Sequence, residues 1–173
     1  MSTWTIDNSH SEIGFKVKHL VVSTVNGKFT SFTAKIDGDP ADFTNAKISF
    51  SADIDSIHTG NEQRDGHLKS PDFFDAASFP QLTFTSTSIA KDGDDYKVTG
   101  DLTMRGTTKS VVLDVEYGGT EKSLYGQTVV GFEITGKINR LDYGLAWSAL
   151  TEAGGLVVAN DVKLIANVEF TKD

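Results

Sequence analysis

The sequence predicts an all-β protein in which eight amphipathic strands form a closed antiparallel barrel or a sandwich. Three observations carry this expectation. Apolar and polar residues alternate with a period of two through most of the 173 residues. Turn-forming pairs such as Asp92–Gly93 and Gly118–Gly119 separate the alternating runs. One stretch, residues 54–80, breaks the alternation with polar groups, two histidines and a run of phenylalanines.

The first strand is expected over residues 11–20, with Ile13, Phe15, Val17 and His19 on one face and Glu12, Lys16 and Lys18 on the other. The second spans 25–36. There Phe32, Ala34 and Ile36 share a face, and Phe29 is out of phase with them, which places a bulge near Thr30. Asp37, Gly38, Asp39 and Pro40 then signal a turn into the third strand, 46–54, where Ala46, Ile48, Phe50, Ala52 and Ile54 alternate.

The 54–80 insert carries helix signals. Asn61 is placed to cap one short turn with Glu62 near its positive end. Ser70 is placed to cap a second, with Pro71 at the first helical position and Asp72 just inside. An ordered lid over one end of the barrel is therefore expected. After it, Leu82, Phe84 and Ser86 begin the fourth strand, and Tyr96, Val98, Gly100, Leu102 and Met104 line the fifth. Arg105–Gly106 turn the chain into Val111, Leu113, Val115 and Tyr117 of the sixth. The seventh holds Val130, Phe132, Ile134, Gly136 and Ile138. A second irregular stretch, 138–155, precedes the eighth, where Val162, Leu164, Ala166, Val168 and Phe170 point inward. Strands of this length reach roughly 30 Å at ~3.3 Å per residue. A barrel of that height suits a long, thin ligand.

Composition narrows the function. The net charge of −8 disfavours non-specific attraction to nucleic acid or anionic lipid headgroups. There is no cysteine, so disulfides, thiol catalysis and cysteine-ligated metals are excluded. The N-terminal residues show no secretory-signal pattern, and no segment approaches the ~18 apolar residues of a membrane-spanning helix, so a cytoplasmic location is expected. No Walker loop, dinucleotide fingerprint or other cofactor motif is present.

Four histidines could carry chemistry. His58 and His67 lie near Asp55, Asp65 and Asp75, but with no metal-ligand spacing, so bracing of the insert is expected rather than a metal site. Arg64 and Asp65 are candidates for a buried ion pair with neighbouring strands. Asp7, Ser9 and His10 supply the residue types of a hydrolase triad, yet on an extended chain neighbours point to opposite faces. His19 faces inward by parity, either as a satisfied core histidine or as a contact for a ligand headgroup. An acid–base enzyme or stress-response protein acting on a lipid-like small molecule through His19, His67 or Asp65 is the alternative class.

The apolar interior is the remaining candidate site. By strand parity it comprises Phe15, Val17, His19, Phe32, Ile48, Phe50, Phe84, Leu102, Met104, Leu113, Phe132 and Ile134, joined by Leu68, Phe73 and Phe74 of the insert. Parity is satisfied equally by a filled core and by a cavity. A cavity would bind tightly even without polar contacts, because each buried methylene contributes about 0.8 kcal/mol.

Several stretches, DNSHSEIGFKVKHL, NGKFTSF, SIHTGNEQRDGHLKSPDFFDAASFPQLTF, GDLTMRGTTKSVVLDV and INRLDYGL, resemble the YceI-like family of lipid-binding proteins. The resemblance runs in order from Trp4 to Phe170, one departure being Arg105. It implies an extended, lipocalin-like antiparallel barrel in a single domain over residues 1–173, with a long hydrophobic channel for isoprenoid quinones or other long-chain amphiphiles. It also implies a helical lid over residues 60–75, periplasmic export in many members and homodimers in several.

Overall fold

The computed structural model describes residues 2–20, 22–148 and 158–173. The chain forms β1 (Ser2–Ile6), β2 (Glu12–His19), β3 (Ser23–Phe29), β4 (Phe32–Asp39), β5 (Asp42–Asp53) and β6 (Ile57–His58). It continues through α1 (Glu62–Lys69) into β7 (Gln81–Asp92), β8 (Asp95–Met104), β9 (Thr107–Lys122), β10 (Thr128–Asn139) and β11 (Val158–Lys172).

Neighbouring strands pair antiparallel in the order β1-β4-β5-β7-β8-β9-β10-β11, and β11 returns to β1, closing an eight-stranded barrel. Closure leaves these strands no open edge. Two of the walls are broken strands. β11 pairs with β2 from Val158 to Asn167 and, further along, with β1 from Phe170 to Lys172. β3 and β4 are one expected strand divided at Thr30 and Ser31, where the phase slip of Phe29 placed a bulge.

The strands form because their alternation matches the pleat. β4 alternates buried and exposed residues without a break, and so does most of β8. β1 and the two-residue β6 lie outside the expected strands. The second irregular stretch holds a short 3-10 turn over Arg140–Tyr143, and its portion 149–155 lies outside the described residues.

The two mouths of the barrel differ. At the first, the 39–42 and 92–95 turns and the 122–128 loop surround an aromatic cluster. Trp4 and Val130 are wholly buried there, and Phe43 meets Trp4, Tyr96, Tyr117 and Phe132 with ring centroids 5.5–6.4 Å apart. Phe43 reaches the interior because the β4–β5 register shifts between Asp37 and Asp39. At the second mouth lie the insert, the Arg105–Gly106 turn and residues 139–148.

Candidate functional site

Between the two mouths the barrel is hollow. The cavity is about 240 Å³, on the order of twenty times the space that admits one water. Inward residues along its middle are only half buried, including Ile13, Phe15, Ile48, Phe50, Leu113 and Ile134. Their exposed area faces the cavity they line.

Of the side chains expected on the wall, Phe15, Val17, Ile48, Phe50, Phe84, Leu102, Met104, Leu113, Phe132 and Ile134 line the cavity, as do Leu68, Phe73 and Phe74 of the insert. Two do not. Phe32 is inward and buried, but packs behind the wall against Phe50, with ring centroids 6.5 Å apart. His19 lies at the second mouth, opposite Val158 in the β2–β11 ladder; Val158 reaches the cavity and His19 does not. Parity brought His19 to the correct face, but the strand ends before its side chain can enter the lumen.

Glycines make room for the larger rings. A Cβ on Gly27 would stand 2.2 Å from the Phe15 ring that lies across it, and one on Gly100 would stand 2.4 Å from Phe84. Both rings occupy space that any other residue would fill.

The insert closes the second mouth through hydrogen bonds and through the buried rings of Phe73 and Phe74. Asn61 caps α1, its Oδ1 accepting from Arg64 N at 2.9 Å. Asp65 is buried and accepts from Thr59 N and Thr59 Oγ1 at 2.9 and 2.5 Å. Arg64 donates to Thr59 Oγ1 and Thr59 O at 2.8 and 2.7 Å. Of the expected ion pairs with neighbouring strands, Asp65 makes one, its Oδ2 lying 3.9 Å from His58 Nδ1 of β6, while Arg64 pairs with no strand carboxylate and joins Asp65 in a clamp on Thr59. The shorter contacts are those to the three polar groups of Thr59, which lie beside both charges.

Ser70 does not open a second helix. Its hydroxyl donates to His67 O at 2.6 Å and ends α1, and residues 71–74 form turns. These turns place Phe73 and Phe74 over the cavity. Phe74 packs on Phe29, and Phe73 packs on His67 and Trp147, at centroid distances of 6.2, 5.1 and 5.6 Å. His67 Nε2 lies 2.9 Å from Asp72 Oδ2. Arg105 fastens the lid from the β8–β9 turn, donating to Pro71 O at 2.9 Å and to Gly144 O at 3.1 Å. His58, His67, Asp65 and Asp72 thus brace the insert, and none of the four lines the lumen.

Arg140 is the residue that the alternation did not reveal. Only 3% exposed, it is the one charged side chain on the cavity wall among the described residues. It donates to the carbonyls of Leu145, Trp147, Val158 and Ala159 at 2.5, 2.7, 3.3 and 2.9 Å. Its guanidinium carbon stands 5.9 Å from the Phe73 ring centroid. Burial pushes its pKa below the usual guanidinium value. Beside it Tyr143 is buried, and burial, with the nearby Asp142 charge, raises its pKa to about 12.

Asp7, Ser9 and His10 come together after all, because residues 8–10 form a 3-10 turn and not an extended strand. Ser9 Oγ donates to Asp7 Oδ1 at 2.6 Å, and His10 Nδ1 lies 2.8 Å from Asp7 Oδ2. Ser9 Oγ is also 3.2 Å from that same Nδ1. A relay needs the acid on one ring nitrogen and the hydroxyl on the other. Here both share one nitrogen, on the outer surface. Glu169 completes a group whose ligand atoms lie within 4.8 Å of one another.

The family model for the YceI-like domain matches residues 4–170. A UPF0312 protein of Staphylococcus aureus is 41% identical over 172 residues, which cover 99% of this chain and 98% of the relative. A crystal structure of a Campylobacter jejuni YCEI protein is 39% identical, covers 96% of each chain and superposes with a TM-score of 0.78. A polyisoprenoid-binding domain from Saccharophagus degradans, implicated in plant cell wall breakdown, shares the fold at 16% identity and a TM-score of 0.70, with full coverage of both chains.

Proposed function

This chain belongs to the YceI-like domain family, and from that premise we propose that it binds and carries a long-chain isoprenoid lipid, an isoprenoid quinone or a polyprenyl compound. The observation that carries this reading is the hollow barrel itself, with aromatic and aliphatic side chains left half exposed to an apolar lumen. An unfilled apolar cavity forfeits the contacts its lining would otherwise make. A thin hydrocarbon chain restores them and adds the transfer energy of each methylene. The isoprenoid class is supported by the polyisoprenoid-binding domain that shares this fold.

In this reading Phe15, Phe50, Phe84 and Phe132 grip the tail, and Leu68, Phe73 and Phe74 cover it. No step of chemistry is required of the protein. Native mass spectrometry of the purified chain tests the reading directly, with an isoprenoid quinone then titrated into delipidated protein. A co-purifying lipid mass, or a melting temperature that rises with added quinone, is the expected outcome. Protein that never carries lipid, and whose melting temperature ignores the quinone, would sink it.

A further inference from the structure

The wall of the barrel is not hydrogen-bonded to the same depth all round. β5 and β7 have 12 residues each, yet they pair only from Ser49 opposite Thr85 to Asp53 opposite Gln81. Toward the first mouth they part. β7 keeps to β8 through a bulge between Ser86 and Ser88, and β5 keeps to β4 through the register shift between Asp37 and Asp39. The rung after Ser49 and Thr85 would join Ile48 to Ser86. There the Ile48 N–H donates instead to Ser86 Oγ at 2.8 Å, a side chain standing in for the backbone.

The β9–β10 ladder also stops short, at Asp114 opposite Thr135, but its gap is filled. Leu113 lies against Gly136, where a Cβ would stand 2.6 Å from Leu113 Cδ2. The β5–β7 gap instead holds a cleft of about 310 Å³, lined by consecutive residues of both strands, 44–48 and 85–89. Successive residues of a strand face opposite sides of the wall. A cleft on one side would take every second residue, so this one lies between the strands. Ala46, Ile48 and Ile89 of the cleft also line the lumen. The seam lies next to the aromatic cluster: a Cβ on Gly38 would stand 2.8 Å from Ala46 Cβ and 3.1 Å from Phe43 Cδ1.

We propose that the β5–β7 seam is a side port of the lumen, through which the hydrocarbon end of an isoprenoid chain too long for the barrel leaves it. This rests on the lipid-binding reading above. A chain that enters under the lid and runs along the lumen meets the rings of the aromatic cluster at the far end. The seam opens beside those rings, and its inner lips, Ala46, Ile48 and Ile89, are apolar. A hydrocarbon end carries no polar group, so it needs no hydrogen-bond partner on its way out. Passage through a paired stretch of wall would break backbone rungs. Passage here disturbs at most the Ser86 bond.

The chain has no cysteine, so single thiols report on single positions. In delipidated protein, Ile89→Cys at the seam should react with a cationic methanethiosulfonate about ten-fold faster than Ile134→Cys, which lines the lumen away from the seam. Lid opening bares both positions, so equal rates would mean a shut seam, and the port falls. An acrylodan label on Asn45→Cys, at the exposed outer rim, should shift to the blue with saturating solanesol. Geraniol, with the same hydroxyl head and a short tail, should leave it unmoved. Saturation is read from displacement of an apolar fluorophore. A shift with both alcohols would put the shared head at the seam and overturn the assignment. If solanesol displaces the fluorophore while the label stays silent, the port falls and lipid binding stands. If neither alcohol displaces it, both fall. Should Ile89→Cys fail to fold, the Asn45 label decides alone.

Discussion

The two mouths of this barrel are closed by different physics. The first is plugged by rings: Trp4, Phe43, Tyr96, Tyr117 and Phe132 interlock edge to face or tilted, and the first three are deeply buried. The second is covered by α1 and the turns after it, and the only buried residue of that helix is Asp65. Pulling out the plug would expose large apolar surface at about 25 cal/mol per Å². Lifting the lid exchanges protein hydrogen bonds for water ones, at about 1 kcal/mol each, and also bares Phe73, Phe74 and Ala76, a smaller apolar area than the plug holds. On the lipid-binding reading, the lidded mouth is the one expected to open, and the plugged mouth is expected to stay shut.

The sharpest way to break this comparison is Phe43→Ala. Loss of the hub ring should cost about 3–5 kcal/mol in denaturant unfolding. A cost below about 1 kcal/mol would show that the plug is not structural. Phe50→Ala removes a ring of the same size from the cavity wall, where it is already half exposed to the lumen. Its expected cost is smaller, about 1–2 kcal/mol, together with a marked loss of lipid affinity in the same titration.

At the lid, Arg105→Ala deletes the hydrogen bonds to Pro71 O and Gly144 O. Global stability should fall by about 1–2 kcal/mol, while amide exchange quickens selectively at residues 68–76 and bound lipid leaves faster. Uniform exchange across the barrel would contradict a lid that opens by itself.

The smallest effect concerns the surface pair Asp7 and His10. Hydrogen bonds from Ser9 and then His10 hold the Asp7 pKa down to about 2, against an ordinary 3.8. The Asp7 hydrogen bond raises the His10 pKa above its ordinary 6.5. The aspartate contribution is present above its unfolded value and lost as pH falls toward 2, whereas the histidine contribution is present below 6.5 and lost as pH rises through the folded value. The pair should thus stabilise most between roughly pH 4 and 6.5, and only slightly, being exposed. Proton NMR titration should show the His10 pKa dropping in Asp7→Asn.

Most of the barrel was legible because a pleated strand has one rule, and Ile13, Phe15, Ile48 and Leu113 obey it. The failures share a cause. Phe43 sits out of phase with Ala46, Ile48 and Phe50, and only the register shift beside it turns it inward. β1 offers just Trp4 and Ile6 as inward residues, too few to stand out from the polar turn that follows. Asp7, Ser9 and His10 converge through a 3-10 turn that parity treated as extended chain. Arg140 acquires its role from carbonyls that two separate segments bring to it, and no local pattern announces such a meeting.

The closure of β1 against β11 has a consequence in time. Thr5 Oγ1 donates to Asp173 across 168 positions of sequence, and Trp4 pairs with Lys172. Contacts so distant are formed late, because their loop-closure entropy must be met before they give anything back. On a ribosome, β1 emerges first and waits for β11 before it has its final neighbour. Until then the wall is an open sheet with greasy edges and no lumen. Transiently exposed strand edges of this kind favour aggregation, and on the lipid-binding reading the lumen is complete only once the last strand has paired.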